Sequence, residues 1–175
     1  MKKQYFFCFI LFLVFLDQYL KIWVFNNQDS LFLPGWWWES IPFFEIVYLE
    51  NSGMAFGLLN GANYWVKFCL SFFRVFAVFF MFFYVFSRYS SFSFFTLFVF
   101  GLLIAGACGN CIDSVFYEVW GLNSVGVGDG FFSGNVIDML KVSFFPPVFN
   151  LADSFITVGC VLGLVFYKNL SGLSV

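Results

Sequence analysis

Apolar residues run through this chain in four long blocks, with polar and small residues returning between them. The blocks are Tyr5–Phe25, Ala62–Phe86, Phe92–Ile112 and Leu151–Tyr167. An α-helix needs roughly 20 apolar residues to cross a bilayer, so each block predicts a transmembrane helix. Between the first two, Asn26–Gly61 holds Trp36-Trp37-Trp38, an aromatic cluster suited to a membrane interface. Phe43-Phe44-Glu45-Ile46-Val47-Tyr48-Leu49 follows, and its β-formers predict an extended segment. Between the last two, Asp113–Asn150 contains a Gly-, Ser- and Asn-rich stretch from Gly121 to Gly134 that reads as a loop. Pro146-Pro147 then punctuates the approach to the last helix. The expected fold is an all-α membrane protein with a small β element, a single domain over residues 1–175 with outer segments 26–61 and 113–150.

Charge orients these spans. Lys2, Lys3, Arg88 and Lys168 fall on one side, which the positive-inside bias makes cytoplasmic, together with both termini. Asp29, Glu39, Glu45, Glu50, Asp113, Glu118, Asp129 and Asp138 then lie outside or at the outer boundary. The N-terminus resembles a signal peptide, but its apolar run carries Asp17 and Lys21 and has no small-residue cleavage site, so a retained helix is expected.

Composition agrees. The chain is 62% hydrophobic and 10% charged, against about half and about a quarter in soluble domains. Its eight basic residues are dispersed and the net charge is −2, which argues against a nucleic-acid partner.

Histidine is absent, which excludes Ser-His-Asp and Cys-His nucleophiles and most zinc sites. Carboxylates remain as the natural acid–base pair. Cys108-Gly109-Asn110-Cys111 has CxxC spacing, yet it and Cys8, Cys69 and Cys160 sit in apolar runs and read as small buried helix residues. Ionisable groups at membrane segments are costly and are by default candidates for function. Asp153 leads the last apolar helix, and Asp138 closes Gly134-Asn135-Val136-Ile137-Asp138.

Other polar positions cluster toward the same outer side. Asp17 and Lys21 are four apart and can pair on one helix face, which suits a neutralised structural tie more than direct catalysis. Asn110 and Asp113 are three apart, a hydrogen-bonding shelf that serves structure or function equally well. In the second block Lys67 can snorkel to the outer interface, whereas Arg74 is deeper and needs a partner that the sequence does not name. Gly126-Val127-Gly128-Asp129 matches a short intramembrane-protease pattern, but it lies in a Gly-rich outer loop rather than a helix.

Several of these stretches, taken in order, closely resemble lipoprotein signal peptidase (signal peptidase II), the bacterial inner-membrane aspartyl protease family. They are Asp17-Gln18-Tyr19-Leu20-Lys21, Asn51-Ser52-Gly53-Met54-Ala55-Phe56-Gly57, Gly109-Asn110-Cys111-Ile112-Asp113, Gly134-Asn135-Val136-Ile137-Asp138 and Phe149-Asn150-Leu151-Ala152-Asp153-Ser154. The resemblance implies that Asp138 and Asp153 form the catalytic dyad. It implies that Asn51, Gly53, Asn110, Asp113 and Asn150 line or support the substrate site, with Asp17 and Lys21 in support. It further implies a β-cradle with a short interfacial helix on the outer face between helices one and two, and diacylglyceryl-modified prolipoproteins as substrates, cut just before the lipidated cysteine. Membrane lipids are the other expected partners, a monomer with its active site on the periplasmic face is expected, and no metal or organic cofactor is called for.

The chain departs from the family pattern at two places. Ser114 stands where the family usually has arginine, so a supporting charge is missing there. Asp113 and Asp138 are also unusually far apart, through an insertion within Val115–Ser133. The family text resumes at Gly134 on this reading; otherwise Asp129 competes with Asp138. The competing function class is a non-enzymatic transporter or assembly factor using Asp17, Arg74 and Asp153 as an ion path. That class predicts polar residues continuing through the inner half of the helices, where the sequence is almost wholly apolar.

Overall fold

The computed structural model describes residues 2–31, 35, 37–51, 64–123 and 130–166. Among these, the elements run α1 (Lys3–Asn27), β1 (Phe44–Asn51), α2 (Tyr64–Arg88), α3 (Phe94–Phe116), β2 (Val136–Val142), β3 (Phe145–Phe149) and α4 (Leu151–Val165). A 3-10 turn at Trp37–Ser40 precedes β1, and another at Tyr89–Ser91 joins α2 to α3. Three helical stretches are long and apolar enough to cross a membrane, Lys3–Asn27, Tyr64–Ser91 and Phe94–Phe116. Where a fourth span is expected, α4 is an apolar helix of 15 described residues, shorter than those three.

α1 shows how one apolar sequence becomes a bundle face. Its buried residues Phe6, Ile10, Leu13, Asp17, Lys21 and Val24 recur every three or four positions, a single helical stripe. Phe6, Ile10 and Leu13 enter a core with Val85, Tyr89, Leu97, Leu102, Ile104 and Ala105. Val24 enters a second core with Leu31, Trp38, Ile46, Tyr117, Ile137 and Met139 under the sheet. Within the membrane spans these contacts hold the helices together by close packing rather than by removal from water. Asp17 and Lys21 occupy the same stripe between the two cores, so a polar layer is built into the buried face.

α3 is the central helix. It starts at Ser93, whose hydroxyl accepts from Thr96 N at 3.0 Å and so satisfies one of the free N–H groups of the first turn. Small residues let α1 and α4 approach it closely. A Cβ on Gly106 would collide with the carbonyl oxygen of Ala152 on α4, and one on Gly109 would press on the Asp17 carboxylate. α2 is the outlying helix, with Phe72, Phe73, Phe76, Phe79, Phe80 and Phe83 all exposed, as suits a lipid-facing surface.

The β element is larger than expected from the segment between α1 and α2. Among the described residues only β1 comes from there; β2 and β3 come from the segment between α3 and α4, giving an antiparallel sheet in the order β1-β2-β3. Pro146 and Pro147, expected as loop punctuation, lie within β3. β3 is an edge strand, where a residue lacking an N–H costs no ladder bond on its free side.

The described ends of the insertion after Asp113 lie beside each other. Gly134 N donates to Ser114 O and Phe132 N donates to Val115 O, each at 3.1 Å. The insertion is thereby closed at its base, and β2 begins with Val136 paired to Asn51 of β1. Lys67 helps to hold that base. Expected to snorkel to the interface, it is instead 3% exposed, and its ammonium donates to Ser133 O and Asn135 Oδ1. The backbone of the returning chain offers acceptors that a charged group at this depth needs.

Candidate active site

The sheet register brings the first carboxylate into place. Asn51 pairs with Val136, and Asp138 is two residues further along β2, so the two side chains are diagonal neighbours on one face. Asn51 Nδ2 donates to Asp138 Oδ2 at 3.1 Å. The other oxygen, Oδ1, accepts from Asn150 Nδ2 at 2.7 Å.

Asn150 also starts α4 and thereby places the second carboxylate. Its Oδ1 accepts from Asp153 N at 2.8 Å, and Asp153 Oδ2 accepts from Asn150 N at 3.4 Å, a reciprocal capping box. Asp153 Oδ1 accepts from Asn110 Nδ2 at 2.7 Å, and Asn110 Oδ1 lies 3.1 Å from Asn150 Nδ2. Three asparagines therefore fix two carboxylates, each able to donate and accept at once.

Beneath this pair lies the polar layer of α1. Lys21 Nζ is 2.8 Å from Asp17 Oδ2 and 2.7 Å from Asp113 Oδ2, with all three side chains fully buried. Asp17 Oδ1 accepts from Ala152 N at 2.9 Å, and Asp113 Oδ2 accepts from Ile137 N at 3.4 Å. Each structural carboxylate thus holds the backbone N–H just ahead of Asp153 or Asp138, and Lys21 ties the two together. Lys21 further donates to Asn110 Oδ1 at 3.0 Å. Gln18 and Tyr117 complete the layer: Gln18 Nε2 donates to Asp113 Oδ1 at 2.8 Å and Tyr117 OH donates to Gln18 Oε1 at 3.0 Å. Sequence reasoning passed over both, although Gln18, polar between Asp17 and Lys21 on an apolar helix, carried a signal.

A groove of about 670 Å³ opens over Asp138 and Asp153. Asn51, Asn110 and Arg74 share its polar floor, and Phe144, Val148, Ile156 and Val158 line its apolar wall. Burial pushes the Asp138 carboxyl up to about 7, and the neighbouring charge of Asp153 acts in the same direction. A carboxyl so placed retains a proton near neutrality and can donate it, which water-exposed aspartates cannot do.

Arg74 finds its partner here. Its guanidinium reaches from α2 to donate to Ser114 Oγ, and Ser114 Oγ in turn donates to Asn110 O at 2.8 Å. A cation therefore does stand beside position 114, supplied by another helix.

Gly53 and Asp129 lie outside the described residues. Cys108 and Cys111 are half-buried and free, and Cys8, Cys69 and Cys160 are free and exposed. The inner half of the bundle is an apolar core among the described residues, which does not favour an ion path.

Apolar helices, a sheet at one end and two buried carboxylates held by asparagines under an apolar groove define a polytopic membrane protein. The chain matches the signal peptidase (SPase) II family over residues 9–168 and belongs to that family. Among its relatives, the lipoprotein signal peptidase of Porphyromonas gingivalis is 34% identical, covering 94% of this chain and 83% of the relative. That of Amoebophilus asiaticus is 32% identical over 85% of this chain and 71% of the relative. A solved structure described as a bacterial membrane enzyme superposes with a TM-score of 0.64 at 26% identity, covering 99% of this chain and 94% of that one. The protein is thus a membrane protease of the signal peptidase II type.

Proposed function

We propose that this chain removes the signal peptide from diacylglyceryl-modified prolipoproteins, cutting just before the lipidated cysteine, with Asp138 and Asp153 as the catalytic dyad. The observation that carries the reading is the joint hold of Asn150 on both carboxylates at the floor of the groove. Two carboxyls in a poorly solvated site share one proton, because ionising both is unfavourable. Burial of Asp138 favours keeping that proton there.

In the reaction, the ionised carboxylate takes a proton from a water molecule, whose oxygen attacks the scissile carbonyl carbon. The protonated carboxyl hydrogen-bonds the carbonyl oxygen as negative charge develops on it. Collapse of the tetrahedral intermediate breaks the C–N bond, and the leaving amine takes up a proton from the dyad. Asn51, Asn110 and Asn150 hold the two acids and need not move during these steps.

The apolar wall at Phe144, Val148, Ile156 and Val158 suits the acyl chains of the substrate. Each buried methylene contributes about 0.8 kcal/mol of anchoring. Lys3 lies over the rings of Phe86 and Tyr89 at the opposite end of the bundle from the sheet. With the positive-inside bias this supports a cytoplasmic N-terminus, α4 as the fourth crossing, and a groove facing the periplasm of a bacterial inner-membrane monomer.

The test is cleavage of a synthetic diacylglyceryl-modified precursor peptide by the purified full chain in detergent, beside its unlipidated twin. The lipidated peptide is expected to be cut and the twin spared, and Asp138→Asn and Asp153→Asn are each expected to abolish cleavage. Asp129→Asn is expected to remain active. Retained cleavage in either dyad variant would remove that residue from the mechanism.

A further inference from the structure

Arg74 is a charged residue in the middle of α2, a helix whose other faces are largely phenylalanine open to lipid. Arginine at such depth is retained only where it faces polar partners inside the protein. Its partner Ser114 follows Asp113, and the groove that Arg74 lines is the one over Asp138 and Asp153. Arg74 is the only basic residue among the described groove-lining residues.

Titratable groups surround the dyad from several elements. α1 contributes Asp17 and Lys21, and α3 contributes Cys111 and Asp113. β2 contributes Asp138, α4 contributes Asp153, and α2 contributes Arg74. β1 contributes the neutral Asn51, while its Glu50 is engaged by Tyr48 OH and Asn135 Nδ2; β3 carries no titratable side chain. Lys21 is divided between Asp17 and Asp113, at 2.8 and 2.7 Å. That trio carries one net negative charge when both acids are ionised, so the charge of Lys21, which also reaches Asp138, is largely offset within it. The guanidinium of Arg74 lies in the groove that also holds Asp138 and Asp153.

We propose that Arg74 is a positioning residue that sets the ionisation of the Asp138–Asp153 pair from α2, anchored through Ser114 to the backbone of Asn110. Guanidinium is the suitable cation for this place, because it stays charged when poorly solvated. It also acts by geometry. Ser114 Oγ donates to Asn110 O, and Asn110 Nδ2 holds Asp153, so Arg74, Ser114, Asn110 and Asp153 form one hydrogen-bonded chain. Arg74 does not exchange a proton with substrate. Its effect is to keep one dyad carboxylate ionised at neutral pH in an environment where burial and a second acid both oppose that charge.

This inference rests on the dyad assignment, and pH–rate profiles on lipidated precursor separate the two. Cleavage needs one ionised and one protonated carboxyl, so kcat/KM follows a bell between two macroscopic pKa values. Arg74→Gln keeps a donor toward Ser114 but removes the charge. Both limbs are expected to move to higher pH by about one unit, with kcat/KM on the acid limb falling about tenfold as a result. Arg74→Lys restores the charge, and its limbs are expected to return toward the wild-type positions even where its rate is lower. Should Arg74→Gln not accumulate, Arg74→Met is read in the same way, with thermal unfolding run alongside each variant.

Superimposable profiles for the charge-removing variant and wild type would overturn the proposal, as would a lysine variant shifted as far as glutamine. If Asp138→Asn or Asp153→Asn still cleaves, the dyad reading fails by itself. If both are dead and the glutamine profile is unmoved, the dyad stands and only the role of Arg74 is lost.

Discussion

Asn150 donates its side-chain amide to Asp138 Oδ1 at 2.7 Å, while its own carbonyl oxygen caps the helix that begins with Asp153. One residue therefore fixes the relative position of two acids that come from a strand and a helix. The capping box serves the fold and the site together, and a change there is felt by both.

Asn150→Ala should lower turnover on lipidated precursor by about 10²-fold or more, since misplacement of about 1 Å is enough for that loss. Loss of the cap should also cost about 1 kcal/mol of stability. Steady-state cleavage and thermal unfolding read the two effects separately, and wild-type turnover in a folded variant would contradict the assigned role.

Stability should depend on pH through Asp138. Its carboxyl stands at about 7 in the folded chain against an ordinary value of 3.8. Between these values the folded state holds a proton that the unfolded chain has released, so this group's contribution to stability falls as pH rises from about 4 to about 7. Asp138→Asn cannot titrate. Its stability advantage over wild type should grow across that window and level off above it. Unfolding midpoints measured at pH 5 and pH 8 check this, and a constant difference would mean that the carboxyl is not shifted.

Lys21→Met should destabilise strongly. It leaves Asp17 and Asp113 buried without their shared cation, a change that costs about 3–5 kcal/mol when one partner of a buried pair is removed. Activity should fall with it, because these acids hold Ala152 N and Ile137 N, the groups next to the dyad. Denaturant unfolding in mild detergent gives the first number and precursor cleavage the second.

Gly106→Ala places a methyl group against the Ala152 carbonyl, a backbone atom that cannot rotate away. The expected cost is about 1–3 kcal/mol, with α4 and Asp153 pushed off α3. Gly130, whose added Cβ would meet nothing within 4 Å, is the matched control, and Gly130→Ala should stay within about 0.5 kcal/mol of wild type. Equal unfolding midpoints for the two variants would show that α3 and α4 are not in close contact there.

Much of this protein is written locally. The lengths of the apolar runs predict α1, α2 and α3 because bilayer thickness and helix rise convert directly into residue number. The spacing of Asp17 and Lys21 predicts their pairing because residues four apart on a helix must be neighbours. Asp153 at the head of α4 is legible for the same reason, since a cap is a matter of adjacent residues.

Other features depend on which distant segments meet, and periodicity carries no address. β2 and β3 completing a sheet with β1, Lys67 turning inward to Ser133 and Asn135, and Arg74 reaching Ser114 are all choices of that kind. The sequence by itself determined a membrane bundle with acids at one end, because burial and helix geometry act residue by residue. The tertiary structure alone decided that Asn150 joins Asp138 to Asp153 and that α2 brings Arg74 to Ser114 in the same groove, because such pairings exist only once the closed chain has brought their partners together.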